Sequence, residues 1–195
     1  MPRLLVCWYN IFMKVLVGVP SGDFIHARTA FALFNLKGNF HLSFQIGSDI
    51  AQNRNKLAQQ SLDYTHLLFI DSDMIFEPDT LERMLAHDKD ILGLAANKRK
   101  LPLETVVKPL DGDITKPLPK GLFEAESCGT GIMLIKTDVF KYLQDIAFPW
   151  FEFNYDDKGE RIGEDVEFCR KARGAGYEIF VDSSIPVGHL GTYQY

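Results

Sequence analysis

The chain has 195 residues, of which 46% are hydrophobic and 24% are charged, values typical of a single globular domain with a sizeable core. Its net charge of −5 argues against a nucleic acid partner, although Lys98-Arg99-Lys100 forms a local basic cluster. Three cysteines without a C-x-x-C pair argue against a zinc knuckle or a disulfide framework and favour free thiols in the reducing cytoplasm.

The first twelve residues, MPRLLVCWYNIF, precede a more natural domain start at Met13. This stretch is apolar but short, and it has one arginine and no small-residue cleavage site, which argues against a signal peptide. We interpret residues 1–12 as an extension, either an upstream start or a weak contact with a membrane or a partner. No apolar run reaches the length of a transmembrane segment. From the chain length we expect one domain over residues 13–195.

Short strands and helices alternate along the first half of the chain. Strands are predicted at 14–19, 40–46, 66–70 and 90–95, and helices at 25–36, 49–62 and 79–86. This alternation predicts parallel strands joined by right-handed crossovers. We therefore expect an α/β fold with a Rossmann-like, mostly parallel central sheet flanked by helices.

The pattern changes after residue 96. Residues 97–125 hold four prolines and many charges, which predicts a long loop with one hairpin around Val106 and Leu122. Further strands are predicted at 131–135 and 178–181, and further helices from about 137 and at 164–172. The second half is expected to add mixed strands to the parallel sheet.

The segment THLLFIDSDM places Asp71 and Asp73 directly after an apolar strand. Side chains alternate along an extended chain, so the two carboxylates point the same way and repel each other unless a cation lies between them. Their oxygens suit Mg²⁺ or Mn²⁺, which also bind a substrate's phosphates. The alternative is that Asp71 caps a turn and Asp73 is solvated, and a D-x-D by itself does not decide between the two.

A second acidic motif, GEDVEF, places Glu164 and Asp165 at a predicted helix start. The helix dipole favours ionised carboxylates there, and ordinary capping explains such acids without any catalytic role. His189 follows the last predicted strand. A loop histidine is usually solvated, but imidazole is also a good metal ligand.

Three further features could line a crevice beyond the carboxyl ends of the strands. Residues 20–22 end the first strand. The guanidinium of Arg54 could pair with a diphosphate, or Arg54 could equally be an ordinary charged residue on the surface. Gly131 belongs to ESCGTGIMLIK, where small residues let a substrate approach the backbone; this segment is not a dinucleotide fingerprint, because Leu134 stands in place of the third glycine.

Taken in order, these segments resemble GT-A fold glycosyltransferases of the family 2 type, in particular compact bacterial and viral members. The resemblance runs from Met13 to His189 and rests on PSG, NRN, LLFIDSDM, GTGIMLIK, GEDVEFCRKARGAGYEIFVD and the trailing histidine. It implies transfer of a sugar from a UDP- or GDP-sugar to the hydroxyl of a glycan or another acceptor, with Mn²⁺ or Mg²⁺ as cofactor. Residues 13–96 would form the nucleotide-sugar-binding half and residues 97–195 the acceptor and catalytic half.

The resemblance also implies a role for each matching residue. Asp73 and His189, with Asp71, would bind the metal. Asp165 would be the general base, and Glu164 beside it would belong to the catalytic pair. The nucleotide-sugar would contact Pro20, Ser21, Gly22, Arg54, Asp71 and Ser72. The acceptor would contact Glu164, Gly131 and Trp150, although Trp150 also suits burial in the core. One base and one in-line displacement predict inversion at the anomeric carbon. The chain is short after His189, which leaves the acceptor open.

Two rival functions fit part of the pattern. Phosphohydrolases of the haloacid dehalogenase type also place D-x-D after an apolar strand, with the first aspartate, here Asp71, as nucleophile. Their motif normally lies near the N-terminus and continues to a threonine or valine, whereas two strands precede it here and Ile75 stands at that position. The other rival is a non-catalytic sugar-binding module, against which the intact Asp73, Asp165 and His189 argue.

Overall fold

A central sheet of eight strands organises the described part of this computed structural model, residues 13–99 and 104–191. The predicted extension at residues 1–12 lies outside the described residues. Within the described part, the helices are α1 (Ala27–Asn35), α2 (Ile50–Gln60), α3 (Thr80–Ala86), α4 (Thr137–Ala147) and α5 (Glu164–Gly174). The strands are β1 (Val15–Ser21), β2 (Phe40–Ile46), β3 (His66–Ile70), β4 (Met74–Phe76), β5 (Ile91–Leu94), β6 (Lys108–Pro109), β7 (Leu122–Ser127), β8 (Ile132–Lys136), β9 (Asn154–Tyr155), β10 (Arg161–Ile162), β11 (Ile179–Asp182) and β12 (Val187–His189).

The central sheet has the strand order β2-β1-β3-β8-β5-β11-β7-β6. Strand β1 pairs in parallel with β2 and β3, as the alternation of strands and helices predicts. Strand β8 lies antiparallel between β3 and β5, and β7 is antiparallel to both β11 and β6. The predicted α/β fold with helices flanking a central sheet is confirmed, and the sheet is mixed, with β7 and β8 running opposite to the other six strands.

Strand β3 explains the unbroken apolar run before Asp71. All of its residues are buried. Leu67 and Phe69 pack into the core on one face of the sheet, beneath α2, α4 and α5, while Leu68 and Ile70 pack on the other face, beneath α1 and α3. A central strand covered on both faces needs apolar side chains at every position. Asp71 is the first residue past this core.

Helices α2 and α5 carry the charged residues predicted for the site. Asp49 caps α2 by accepting the backbone N–H of Gln52 at 3.0 Å, as expected for its helix. The buried face of α2 includes Arg54, which therefore points toward the sheet rather than toward solvent. Helix α5 begins at Glu164, so its acids stand in the first turn, where free backbone N–H groups favour negative charge.

Two short antiparallel pairs were not predicted from the sequence. Strand β4 follows Asp73 directly and pairs with β12, which sets His189 opposite Met74. Strands β9 and β10 form a hairpin around a turn at 156–159. The other hairpin, between β6 and β7, agrees with the expected one in the long loop. No helix in residues 13–99 or 104–191 is long and apolar enough to cross a membrane.

Candidate active site

A cleft of ≈ 460 Å³ lies at the carboxyl edge of β1, β2 and β3. In α/β sheets this edge is where ligands bind. Its lining includes these residues predicted from the sequence: Pro20, Ser21, Gly22, Arg54, Asp71, Ser72, Asp73, Glu164 and Asp165. A larger groove of ≈ 630 Å³, between α1 and residues 75–78, contains none of the predicted acids. The smaller, polar cleft is therefore the candidate site.

Arg54 joins two acids of the cleft. Its Nη2 nitrogen lies 2.9 Å and 3.1 Å from the two carboxylate oxygens of Asp71. Its Nη1 nitrogen pairs with Oε1 of Glu164. With only 3% of its surface exposed, Arg54 is neither a plain surface charge nor an open fork for a diphosphate. It is a buried bridge between the end of β3 and the start of α5.

Negative charge is crowded at this cleft. Burial raises the pKa of the Asp71 carboxyl, while the charge and hydrogen bonds of Arg54 act in the opposite direction. The neighbouring carboxylates of Asp73 and Asp165 raise the same pKa further. The cleft is lined by four acidic side chains and two arginines, so acids outnumber the basic residues there. Such an excess favours the binding of a cation.

Asp73 contacts two side chains from the second half of the chain. Its Oδ2 lies 2.8 Å from Nη1 of Arg99. Its Oδ1 lies 3.4 Å from Nε2 of His189. The pairing of β4 with β12 explains the second contact, and the backbone N–H of Leu190 reinforces it by donating to the carbonyl of Asp73 at 2.8 Å. The fold thus brings together Asp73 and His189, both predicted as metal ligands.

The orientation of the His189 ring suits metal binding. Its Nδ1 lies 2.8 Å from the carbonyl oxygen of Asn97. Because a carbonyl only accepts hydrogen bonds, Nδ1 carries the hydrogen, and in the neutral ring Nε2 presents a lone pair toward Asp73. Metal-ligating histidines are typically oriented by such a bond to a backbone carbonyl. Oδ1 of Asp73 and Nε2 of His189, 3.4 Å apart, are therefore close enough to contact one cation together.

These two side chains supply only part of a metal's coordination. Across residues 13–99 and 104–191, no group of three or more His, Cys, Asp and Glu side chains is placed to hold a metal ion. Asp71, the third predicted ligand, has both oxygens bonded to Arg54. Mg²⁺ and related ions often take one or two protein carboxylates and complete their coordination with water and substrate phosphates. The donors present fit a cation that binds together with a phosphate-bearing ligand.

The adjacent acids Glu164 and Asp165 have different surroundings. Glu164 is 8% exposed and paired with Arg54. Asp165 is half-buried, and its Oδ1 accepts the backbone N–H of Val166 at 2.8 Å. A Cβ atom at Gly129 would lie 3.5 Å from its Oδ2 but 3.1 Å from Cγ2 of Val106, so Gly129 and Val106 pack closely beside this carboxylate. Asp165 is the better placed of the two acids to exchange a proton.

Two residues predicted to contact an acceptor lie outside the cleft lining. The carbonyl of Gly131 accepts the backbone N–H of Asp71 at 2.8 Å, so this glycine supports the end of β3. Trp150 is fully buried, and its indole N–H donates to the carbonyl of Phe140 at 2.9 Å. Its ring packs edge-on against Phe140 and Phe148. Trp150 is therefore a core residue, and the structure does not place it in the cleft lining.

The structure adds cleft residues that sequence reasoning missed. Gly47, Ser48 and Ile50 line it after the end of β2. The signal that identified residues 20–22, small residues after a strand, was also present at Gly47 and Ser48. Arg99 belongs to the basic cluster seen in the sequence, but only the tertiary structure shows that it reaches Asp73.

Comparison with solved structures identifies the fold. No protein-family model and no curated protein matches the chain. The chain is similar to A197 from STIV, with a TM-score of 0.61 and 21% identity over 92% of this chain and 87% of that one. It is similar to S. aureus TarS 1–349, with a TM-score of 0.57 and 19% identity over 91% of this chain and 60% of that one.

A third similar structure is that of GalNAc-T7 with UDP, GalNAc and Mn²⁺. The TM-score is 0.56 and the identity 11%, over 93% of this chain and 44% of that one. The chain thus spans less than two thirds of TarS 1–349 and of GalNAc-T7. All three structures have the GT-A fold, and A197 is of a compact viral type. The GT-A fold predicted for this chain is confirmed.

Proposed function

We propose that this chain is a metal-dependent glycosyltransferase that moves a sugar from a UDP- or GDP-sugar to an acceptor hydroxyl. One observation carries the proposal: residues suited to donor, cation and proton transfer, from distant parts of the sequence, line one cleft of a GT-A fold. The GalNAc-T7 structure, which contains UDP, GalNAc and Mn²⁺, supports this donor class. Residues 13–96 would then supply most of the donor site, and residues 97–195 the base and the acceptor site.

The donor would lie along the carboxyl edge of β1 and β2. Pro20, Ser21 and Gly22 end β1 and would face the nucleoside, with Ser72 beside them in the same lining. Arg99, whose side chain is 57% exposed, is better suited to a diphosphate than the buried Arg54, because its guanidinium can leave Asp73 without crossing the core. Arg54 instead holds Asp71 and Glu164 at the base of the cleft.

Asp73 and His189 would hold the cation, with Asp71 next to them. A bound Mn²⁺ or Mg²⁺ would offset the negative charge that develops on the departing diphosphate. Asp73 supplies a charged oxygen and His189 the neutral Nε2, whose direction is set by the bond from Nδ1 to the carbonyl of Asn97. The remaining positions would be filled by water and phosphate oxygens.

Asp165 would act as the general base. The acceptor hydroxyl attacks the anomeric carbon, the bond from that carbon to the diphosphate oxygen breaks, and the hydroxyl proton passes to a carboxylate oxygen of Asp165. Attack from the face opposite the leaving group inverts the anomeric configuration. Glu164, held by its ion pair with Arg54, would keep the neighbouring Asp165 in place.

No observation favours the phosphohydrolase alternative. Asp71 would have to be a free nucleophile, but both of its oxygens accept hydrogen bonds from Arg54.

An assay of nucleotide-sugar hydrolysis distinguishes a transferase from the other alternative, a non-catalytic sugar-binding module. A transferase passes some sugar to water in the absence of an acceptor, and a binding module does not.

A thermal-shift panel tests the donor and cation assignments. Nucleoside diphosphates and nucleotide-sugars are measured with and without Mn²⁺. We expect UDP or GDP to raise the Tm only with the metal, because a ligand at about 100 times its Kd adds about 2.7 kcal/mol of stability. For a domain of this size that corresponds to a rise of roughly 5–10 °C.

The matched variants are Asp73→Ala and Asp138→Ala. Asp138 is an exposed acid in the first turn of α4, remote from the cleft. We expect Asp73→Ala to abolish the metal-dependent rise in Tm and Asp138→Ala to retain it. An equal rise in both variants would show that Asp73 does not bind the cation, and the proposal would be wrong.

A further inference from the structure

The hairpin of β9 and β10, residues 153–162, is joined at both ends to segments that contact or carry neighbours of cleft residues. At its first end, Asn55 donates from Nδ2 to the carbonyl of Phe151 at 2.7 Å and accepts the N–H of Phe151 at 3.0 Å. Asn55 is the neighbour of Arg54 on α2. At its second end, Gly163 leads directly into Glu164 and Asp165. The hairpin is thus held at each end by a residue next to the Arg54–Glu164 pair.

One face of this hairpin packs on α5. Asn154 and Ile162 form a cross-strand pair, and Nδ2 of Asn154 donates to Oε1 of the buried Glu167 at 3.3 Å. Side chains alternate along a strand, so Phe153, Tyr155 and Arg161 share the opposite face. Tyr155 is 66% exposed and Phe153 37% exposed.

The exposed face of the hairpin has the composition of a sugar-binding surface. The Arg161 guanidinium lies 3.8 Å from the centre of the Phe153 ring, so stacking holds its N–H donors in a fixed plane. Tyr155 is paired directly across from Arg161 and offers a second, open ring. An aromatic face packs against the C–H surface of a pyranose, while the guanidinium donates to its hydroxyl groups.

The net charge of the hairpin indicates which class of sugar acceptor it would bind. Glu152 is ion-paired with Lys171, and the exposed turn at 156–161 has three acidic residues against Lys158 and Arg161, an excess of one negative charge. A phosphate- or carboxylate-bearing acceptor would be repelled by this turn, whereas a neutral glycoside would not. Arg161 is four residues from Asp165, which sets an upper limit of about 14 Å between their Cα atoms. Within that limit, an acceptor of one or two sugar rings on the hairpin can reach Asp165.

We infer that the hairpin of β9 and β10 binds the acceptor, and that the acceptor is a neutral glycoside stacked on Tyr155 beside Arg161. The inference rests on the proposed transferase function. Trp150, the aromatic residue predicted for this purpose from the sequence, is buried, and Tyr155 with Arg161 takes over that role.

Saturation-transfer NMR with defined neutral sugars tests the inference. The probes are methyl glycosides of glucose, galactose, mannose and N-acetylglucosamine, together with maltose, lactose and cellobiose, each with UDP and Mn²⁺ present. We expect at least one to bind, with Kd weakened about tenfold in Tyr155→Ala and in Arg161→Ala. Tyr155→Phe keeps the ring and is expected to retain binding. Tyr142→Ala, which removes a 55% exposed tyrosine on α4, is the matched control.

Each outcome decides between the alternatives. If no neutral sugar binds the wild-type protein, if Tyr155→Ala and Arg161→Ala bind as the wild type does, or if methyl glucuronide binds better than methyl glucoside, the inference is wrong. The thermal shift with UDP and Mn²⁺ is measured on the same samples. If that shift persists while the sugars fail to bind, the hairpin assignment alone is overturned; if it is also missing, the proposed function fails first.

Discussion

The two ends of strand β3 carry titratable residues in contrasting environments. At the amino end, burial and then the charge of Lys136 lower the pKa of His66 to about 4, so its ring is neutral near pH 7. Its Nδ1 is satisfied by the hydroxyl of Thr65 at 2.9 Å. Past the carboxyl end, burial raises the pKa of Asp71, and Arg54 opposes that change.

These two environments distinguish the amino edge of the sheet, where the titratable group is structural, from the carboxyl edge, which carries the candidate site. At the amino end the fold removes a charge and leaves the histidine with a local partner. At the carboxyl end several acids converge on one cleft, held by Arg54 and Arg99. Such crowding costs folding stability and is understandable where a ligand completes the site, which is why clustered, shifted titratable groups mark functional sites.

The largest expected effect is on catalysis at the carboxyl edge. Asp165→Asn keeps an oxygen for the N–H of Val166 but cannot accept a proton, so we expect sugar transfer to fall by about 10²–10⁴-fold. The Tm rise with UDP and Mn²⁺ should be unchanged, because Asp165 is not assigned to the donor. Asp138→Asn, at an exposed position of α4 remote from the cleft, is the control. Transfer by Asp165→Asn at the wild-type rate would remove Asp165 from the mechanism.

The second-largest effect is expected on folding stability, when Arg54, which pairs with two of the crowded acids, is replaced. Arg54→Met leaves Asp71 and Glu164 without their shared partner, and we expect the free energy of unfolding to fall by about 3–5 kcal/mol in urea titrations at pH 7. The triple variant Arg54→Met, Asp71→Asn, Glu164→Gln removes the charges together and should recover most of that loss. If the single and triple variants are equally unstable, packing rather than charge explains the role of Arg54.

The smallest effect lies at the amino end. In the unfolded chain His66 titrates near pH 6.5, and in the folded protein near 4, so below pH 6.5 the unfolded state binds a proton that the folded state does not. Stability contributed by the neutral ring is therefore present above pH 6.5 and lost as the pH falls toward 4, by up to about 3 kcal/mol. His66→Asn keeps a polar partner for Thr65 but cannot titrate. Its unfolding free energy should decline less steeply over this range, and parallel pH profiles for the two proteins would refute the explanation.

Much of the fold could be predicted because the local pattern of apolar and polar residues is enough to locate its strands and helices. The apolar run of β3 is buried on both faces, and its predicted bounds, 66–70, are those observed. The start of α5 at Glu164 was also predicted from short-range signals. The reversal of β8 was not predicted, because an apolar strand buried on both faces has the same pattern in either direction.

For the candidate site, too, the sequence determined some features and the tertiary structure determined the others. The sequence by itself determined which side chains stand at strand and helix ends, since periodicity, capping and turn residues act over a few positions. Only the tertiary structure decided which of them meet. Arg54 bonds to Glu164, 110 positions away in the chain, and His189 reaches Asp73 through the short β4–β12 pair. Those contacts depend on how the sheet closes over its core, and no local pattern encodes them.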